Sequence, residues 1–265
     1  MEILGFICII LMGSLLSMLG AGGAMLTLPI LVYLFKIPGD VAIGYSMFVV
    51  GASSSFGVVG HLKRKSIDPA VFFLFGIPSS IMVVLSRLFL LPLIPDPVFS
   101  LNGWLISRAA FLLSIFALLM LSSAFGMIKV SEEINGQKKV IPNKTLYLLI
   151  GAIVGTLTGL LGAGGGFILI PTMVILIGLQ MSNAVSTSLA LISLNMIIGF
   201  AGYFHHSKYI DWNLLITITS FAILGMILGH LLQKKMNDNL LRKIFILVMV
   251  CTALYTLISE LLLRQ

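Results

Sequence analysis

The stretch from Thr145 to Ser207 contains no Asp, Glu, Lys or Arg. Soluble domains carry charged residues at roughly a quarter of all positions. Over the whole chain of 265 residues only 9% are charged, whereas 59% are hydrophobic. The chain therefore lacks the polar surface of a soluble protein. Its long apolar runs predict membrane-spanning helices, not the short alternating segments of a membrane β-barrel.

The formal net charge of +7 does not indicate nucleic-acid binding. The basic residues lie in short segments between apolar runs, where positive charge orients a membrane protein. Cys8 and Cys251 lie alone in apolar segments, without the spacing of a metal site. We therefore expect a multi-pass protein of the cell membrane, in contact with the lipid bilayer, with no nucleic-acid partner, metal or cofactor.

A glycine-rich sequence occurs twice in the chain. LGAGGAMLTLP runs from Leu19 to Pro29, and LGAGGGFILIP runs from Leu161 to Pro171. Around them, residues 13–60 align with residues 155–202 without a gap, and the same residue type recurs at Gly13, Gly20, Gly22, Gly23, Pro29, Gly57 and Gly60. Shared glycines and a proline at fixed spacing are not explained by apolar composition alone. We therefore predict a first membrane repeat at residues 1–128, a polar linker at 129–145 and a second membrane repeat at 146–265.

Each repeat contains two short apolar pieces beside the glycines and three longer ones. In the first repeat they cover residues 3–19, 24–36, 41–60, 70–91 and 104–128. In the second repeat they cover residues 146–161, 167–179, 183–204, 212–232 and 244–262. A full crossing needs about 20 residues, so the short pieces favour a broken or re-entrant element, and we expect about 8–10 membrane segments in total.

Loop charge favours one arrangement of these pieces. If each short pair forms a hairpin whose ends share one face, or crosses the membrane twice as thin helices, the basic segments 63–65, 129–144 and 234–243 fall on the same side. If each pair instead crosses once, the basic residues are spread more evenly. The positive-inside rule favours the first arrangement, with both termini outside. The predicted fold is therefore an all-α polytopic membrane protein with two inverted repeats, each with a glycine-broken first element.

The glycines have a physical use in such a fold. Irregular backbone at membrane depth is tolerated where it is buried or lines a cavity. Each glycine stretch precedes a new apolar segment, and the free N–H groups of a helix N-terminus bind anions. Two such sites from opposite faces would enclose one small oxyanion, although close helix packing is the competing interpretation. The predicted substrate-binding glycines are Gly20, Gly22, Gly23, Gly162, Gly164, Gly165 and Gly166.

Polar residues in the following segment extend the predicted binding site. Ser46 is equivalent to Ser188, and Ser53 is equivalent to Asn195. The spacing of seven residues puts each pair on one face of a helix. The serines have an alternative, which is to bond back to their own helix. A ligand contact is more strongly indicated for Asn195, because an unpaired amide is costly in lipid.

Other polar residues have structural interpretations. Arg87 and His230 occupy matching positions near segment ends, and we expect Arg87 to extend towards the membrane interface. Asp68 and Asp211 each precede an apolar segment and are expected to be helix N-caps.

The residues GLLGAGGGFILIP, the first copy of that sequence and NAVSTSLALI resemble the TauE/SafE sulfite exporter family, also called the four-toluene-sulfonate uptake permeases. The resemblance covers nearly the whole chain. It implies a secondary transporter for small sulfur-containing anions such as sulfite, sulfonates or sulfoacetate. The first copy departs from the family pattern, since Gly44-Tyr45-Ser46 replaces the usual threonine-serine run.

The near absence of carboxylates from the apolar segments bears on direction. Apart from Glu260, close to the end of the last segment, they contain no Asp or Glu, so there is no obvious acidic proton relay. An anion that leaves a negative-inside cell moves with the potential, at about 2.3 kcal/mol per charge per 100 mV. We therefore expect export of a small anionic substrate. Import of sulfur oxyanions such as thiosulfate and an anion channel remain alternatives, and a homodimer stays open. No HExxH, GxSxG or GxGD motif predicts an enzyme.

Overall fold

The computed structural model describes residues 2–20, 23–63, 66–101, 104–133, 144–161, 166–206, 210–233 and 236–262, and most of these are helical. The first half of the chain contains α1 (Glu2–Leu19), α2 (Ala24–Pro29), α3 (Gly39–Lys63), α4 (Pro69–Leu85), α5 (Leu91–Leu93) and α6 (Arg108–Glu133). The second half contains α7 (Lys144–Leu161), α8 (Gly166–Pro171), α9 (Met181–His206), α10 (Trp212–Gln233) and α11 (Asp238–Leu262).

Within the described residues, six helices are long and apolar enough to cross a membrane. They are Gly39–Gly60, Pro69–Leu93, Arg108–Lys129, Met181–Phe204, Trp212–Gln233 and Asp238–Ser259. Four shorter apolar helices accompany them: Leu4–Leu19, Ala24–Leu34, Thr145–Leu161 and Gly166–Ile177. The helical, polytopic architecture expected from the sequence is confirmed, and the short pieces lie on both sides of each glycine stretch, as expected.

The outward faces of the long helices are apolar. On α4, Phe73, Ile77 and Ile81 follow one another at every fourth residue and are 54–58% exposed. Exposed apolar surface of this extent marks an interaction with another apolar medium. These faces suit contact with lipid tails.

A short β-hairpin replaces the start of one predicted helix. Strands β1 (Phe99–Leu101) and β2 (Trp104–Ile106) pair antiparallel, with Leu101 opposite Trp104. The two residues between them in the sequence are Asn-Gly, which favours a two-residue hairpin turn. Helix α6 therefore begins at Arg108, and the expectation of an apolar helix from residue 104 is wrong.

The short helices change geometry directly after a proline. Pro29 ends α2 and is followed by a π-helical segment, Ile30–Leu34. Pro171 ends α8 and is followed by a π-helical segment, Thr172–Leu176. Proline has no N–H group, and its ring crowds the carbonyl four residues earlier. That conflict lies on the N-terminal side of the proline, and the sequence pattern did not predict the wider π-helical turn that follows it.

Both π-helical segments end in a left-handed residue. Lys36 has a φ of +55°, and Gly178 has a φ of +74°. In both halves the amide of the next residue donates to the carbonyl six residues earlier. The Ile37 amide donates to the Leu31 carbonyl, and the Leu179 amide donates to the Met173 carbonyl, both at 3.0 Å. This is the Schellman end of a helix, for which glycine is the favoured residue. The two halves therefore end this element in the same way.

The glycine stretch after α1 reverses the direction of the chain. Gly23 lies against the backbone of Leu16 in α1. Further along, the ring of Phe35 lies 2.8 Å from the Cβ position of Gly5. Helix α1 and the helix Ala24–Leu34 therefore form an antiparallel hairpin, and its two ends lie at the same end of the bundle.

Helices of one half pack on helices of the other. The main pairs are α1 with α10, α4 with α7, α3 with α9 and α6 with α11. Helices α3 and α9 are antiparallel, because Gly44 near the start of α3 contacts Tyr203, whereas Gly57 contacts Leu189. The core of the protein therefore lies between the two halves.

Glycines allow two of these pairs to approach at the backbone. Gly13 of α1 lies against the carbonyl of Ala222 in α10, and Gly155 of α7 lies against the carbonyl of Ser79 in α4. Small residues four positions apart support such contacts in membrane helices, as in Gly225 and Gly229 on α10 and in Gly151, Gly155 and Gly159 on α7.

Replacement of Gly13 or Gly155 with alanine is expected to destabilise the protein. Each added methyl group would overlap a backbone carbonyl of the facing helix, which cannot rotate away. Overpacking of this kind costs about 1–3 kcal/mol, against about 1 kcal/mol gained from helix propensity. The unfolding temperature in detergent measures the effect. Gly60→Ala is the control, because its Cβ would lie 3.5 Å from His230; equal unfolding temperatures for all three variants would contradict this packing.

Candidate functional site

The first break in the bundle is made at Gly20. Its φ is +59°, in the left-handed region that side-chain-bearing residues disfavour. A Cβ here would lie 2.7 Å from the Val185 carbonyl oxygen and 2.8 Å from Ser188 Oγ. Glycine is thus required by both conformation and space. The contact also brings together two residues of the predicted site, Gly20 and Ser188.

Two further predicted glycines, Gly23 and Gly166, lie at the starts of α2 and α8. Gly23 is the N-cap of α2, as predicted, and its carbonyl accepts from the Leu26 amide at 3.1 Å. Its close contact with α1 supports the packing interpretation for this glycine. Gly166 is buried and begins α8. The remaining predicted glycines, Gly22, Gly162, Gly164 and Gly165, lie outside the described residues.

The two half-helices that follow the glycines meet inside the protein. Helix α2 contacts α8, and each also packs on the last helix of the opposite half, α2 on α11 and α8 on α6. Their first residues, Ala24 and Gly166, are buried. The first N–H groups of a helix have no partner within it. A buried helix start is therefore a place where an acceptor is needed.

The three predicted serines bond back to their own helices. Each hydroxyl donates to a backbone carbonyl three or four residues earlier: Ser46 to Ile43 at 2.8 Å, Ser53 to Val49 at 2.6 Å and Ser188 to Val185 at 2.9 Å. This is the alternative that the sequence left open for serines. Their contact with a ligand stays a prediction.

Ser46 and Ser188 do not converge on one point. Ser188 neighbours Leu189, which contacts Gly57 on α3. Ser46 precedes Gly57 in the same helix by a distance of about 16 Å, at 1.5 Å per residue. A single small anion cannot touch both serines at once. This separation concerns the two serines, and the enclosure of an anion by the two glycine stretches stays a prediction.

Asn195 is held by two serines of α4. Its Nδ2 donates to Ser79 Oγ at 2.7 Å, and Ser80 Oγ donates to its Oδ1 at 2.7 Å. All three side chains are buried. Buried amides are hydrogen-bonded in almost all proteins, and this pairing provides the partners of Asn195 without a ligand.

The predicted N-caps are confirmed. The Asp68 carboxylate accepts from the amides of Ala70 and Val71, at 3.0 and 3.1 Å. The Asp211 carboxylate accepts from the amide of Leu214 at 3.0 Å. Carboxylates at these positions satisfy the free amides of α4 and α10.

The backbone amides of the two aspartates are bound from the opposite half. The Asp68 amide donates to Thr187 Oγ1 at 3.1 Å, and the Asp211 amide donates to Tyr45 Oη at 2.7 Å. Tyr45 and Thr187 are equivalent in the alignment of the two copies. Two different side chains thus make the same bond from the same position.

The sequence analysis missed two buried threonines. Thr27 on α2 and Thr158 on α7 are fully buried, and among the described residues their hydroxyls have no hydrogen-bond partner. Threonine in a helix usually bonds to its own backbone. Unpaired buried hydroxyls beside each glycine stretch are candidates for contact with a bound molecule. Their positions, four residues after Gly23 and four before Gly162, were the available signal.

The expected extension of Arg87 towards the membrane interface stays a prediction, and the structure shows what the side chain contacts. It is half-buried, and its Nη2 donates to Met47 Sδ at 3.1 Å. Its guanidinium lies over the ring of Tyr203, 5.8 Å from the centroid. The side chain therefore points towards α3 and α9.

Comparison with known proteins identifies the family. The sequence model described as sulfite exporter TauE/SafE matches residues 5–256. The chain belongs to this family. It is similar to a probable membrane transporter protein of Methanocaldococcus jannaschii, with 28% identity over 91% of this chain and 88% of the relative. It is also similar to the probable membrane transporter protein YunE of Bacillus subtilis, with 24% identity over 92% of this chain and 93% of the relative. No solved structure matches the chain significantly.

These findings establish the class of protein. The TauE/SafE protein is a multi-pass membrane transporter, not an enzyme. The six long apolar helices among the described residues agree with a place in the cell membrane. A transporter of this class works with a lipid bilayer and a small substrate.

Gly20→Ala is expected to destabilise the hairpin of α1 and α2. The left-handed conformation costs about 1–2 kcal/mol for a residue with a side chain. The added Cβ would also displace Val185 or Ser188. Thermal unfolding in detergent measures the loss. Gly126→Ala is the matched control, since its Cβ meets the movable end of Ile175 at 3.2 Å; if both variants unfold at the same temperature, Gly20 is not constrained as described.

Proposed function

We propose that the TauE/SafE protein is a secondary transporter that exports small sulfur-containing anions, such as sulfite or an organosulfonate. The observation that carries the proposal is the break at Gly20, which starts a half-helix within the buried part of a membrane bundle. Free N–H groups at such a start attract anions without a basic side chain. Broken helices of this kind form substrate sites in inverted-repeat carriers.

We also propose that the two halves are inverted repeats, with residues 1–128 and 146–265 joined by the linker 129–145. Matched contacts support this proposal. The Asp211 amide donates to Tyr45, and the Asp68 amide donates to Thr187; the alignment of the two copies converts each of these bonds into the other. The packing of α1 on α10 corresponds to that of α7 on α4. The equivalent helices α3 and α9 are antiparallel, as inversion requires.

The proposed site consists of two half-sites in series. The first is the Gly20–Gly23 break with Ser188, and the second is the corresponding Gly162–Gly166 stretch with Ser46. The separation of Ser46 and Ser188 favours two successive positions over one shared enclosure. Ser53, Asn195 and the α2–α8 contact lie between the half-sites in this scheme, and an anion would pass from one helix start to the other.

Export follows from electrostatics. The described helices that could cross the membrane carry Asp and Glu only at their ends, as in Asp40 and Asp238. An anion driven by a negative-inside potential needs no coupled proton in the outward direction. The proposed direction therefore uses the membrane potential alone.

Flux into proteoliposomes tests the function. Sulfite, thiosulfate, sulfoacetate and chloride are measured in parallel at an imposed potential. We expect saturable flux of the sulfur-containing anions and little flux of chloride. The imposed potential should accelerate the movement of these anions towards the positive side of the membrane. Unsaturable flux that includes chloride would instead identify an anion channel, and flux that requires a proton gradient would contradict passive export.

Thr27→Val tests whether the half-helix α2 contacts the anion. Valine has the same shape, and the lost hydroxyl has no partner among the described residues, so the free energy of unfolding should stay unchanged or rise. Flux should fall about tenfold if the hydroxyl binds substrate, since a hydrogen bond to a charged group contributes about 1.5–3 kcal/mol. Thr256→Val on α11, which loses a bond to the Thr252 carbonyl at 2.9 Å, should retain flux. Normal flux in Thr27→Val would remove α2 from the site.

The orientation is tested by labelling of single introduced cysteines. In a background without Cys8 and Cys251, cysteines at Ser66, Asn135 and Asn237 should all react from the cytoplasmic side, because the basic loops follow the positive-inside rule. A cysteine added at either terminus should react from outside. If the three internal positions do not share a side, the inverted arrangement is excluded.

A further inference from the structure

A cavity of about 230 Å³ opens between α4 and α9, next to Arg87. Its walls are apolar apart from that one side chain. They consist of Val84, Leu88, Ile198, Gly199, Ala201 and Gly202. A Cβ at Gly202 would meet nothing within 4 Å, so this glycine leaves the cavity open.

The guanidinium of Arg87 has few partners for a charge in a membrane helix. Its Nε has no hydrogen-bond partner among the described residues, and Nη2 donates to the weak acceptor Met47 Sδ. The ion pair that the described residues contain joins Arg108 to Asp40, at 3.1 Å, not Arg87. Intramembrane arginines are rare because an uncompensated charge is costly there, and they mark ligand or ion pathways.

The position of Arg87 connects the cavity to the second glycine stretch. The adjacent Ser86 lies against Gly159 in the last turn of α7. Met47, which accepts from Arg87, directly follows Ser46. Arg87 is therefore level with the end of α7, where the second proposed half-site begins.

We infer that Arg87 and the α4–α9 cavity form a binding site for an oxyanion headgroup that carries a short apolar body. The inference deepens the proposed function and rests on it for the view that the bound anion is transported. A guanidinium presents a planar fork of donors that matches a sulfonate, phosphate or carboxylate. Apolar walls would contact the body of the anion, whereas a small, fully hydrated ion gains nothing from them.

Tyr203 and Met47 prepare the arginine for this role. The ring of Tyr203 supports the cation on one face, which a π-system does favourably at this distance. Gly199 permits Met47 to lie close, since a Cβ there would be 3.0 Å from Met47 Sδ. The guanidinium thus contacts neutral groups, Asp40 acts on it only from beyond ion-pair distance, and its donors are left for an anion.

Binding of butane-1-sulfonate to purified protein in lipid-free detergent tests the site by calorimetry. Arg87→Gln is expected to weaken binding about tenfold or more, because a charge-assisted bond is lost. Arg87→Lys keeps the charge but loses the planar fork of donors. Its affinity should lie between that of the wild type and that of Arg87→Gln. Gly202→Leu should abolish binding by filling the cavity. His230→Gln and Gly60→Leu, the equivalent changes on α10 and α3, are the controls and should bind as the wild type does.

A second arm uses dihexanoyl phosphatidylglycerol, which distinguishes a lipid headgroup from a soluble anion. Arg87-dependent binding of butane-1-sulfonate supports a substrate site. Arg87-dependent binding of the lipid alone overturns the transport role and identifies a lipid site. Monodispersity and unfolding temperature show whether Arg87→Gln and Gly202→Leu fold normally. If both variants fold normally and bind both probes as the wild type does, the inference is overturned. This holds even if the wild-type protein transports anions. Arg87-dependent binding without any wild-type flux would instead refute the proposed function and leave the binding site standing.

Discussion

The structure depends on the rule that backbone N–H and C=O groups in hydrocarbon must be satisfied within the protein. A helix meets this rule along its length, but not at a break. The hairpin of α1 and α2 contains such a break, and the left-handed Gly20 at its tip is covered by α9. The long helices around it, with their lipid-facing apolar residues, keep water and lipid away from the exposed backbone groups. The break is stable because the bundle encloses it.

Enclosure of this kind also explains why the two halves interleave. Each broken element is covered mainly by a helix of the opposite half. Helix α10 of the second half covers α1, and α4 of the first half covers α7. Tyr45 and Thr187 then join each half to the start of a helix in the other, through the amides of Asp211 and Asp68. The fold is held at the boundary between the halves.

Much of the architecture could be predicted from the sequence. Apolar length gave the six long and four short helices, and Asp68 and Asp211 were recognisable as caps because capping is local. The β-hairpin before α6 was missed because Trp104 to Ile106 is as apolar as the helix that follows. The environment of Asn195 was missed for another reason: its partners Ser79 and Ser80 are distant in sequence, and their approach depends on tertiary packing. The contacts of Arg87 were missed in the same way, since Tyr203 and Met47 reach it from two other helices.

The glycine contacts limit how the protein can move as it works. Gly13, Gly225 and Gly229 bring α1 and α10 into backbone contact, and Gly151, Gly155 and Gly159 do the same for α7 and α4. Surfaces that interlock at the backbone cannot slide or separate without the loss of many close contacts at once. Each locked pair therefore moves as one body, and each joins a helix from one half to a helix from the other. In the proposed transport cycle the mechanical units are therefore mixed pairs, and a hinge between the two halves of the chain could not by itself open and close a path.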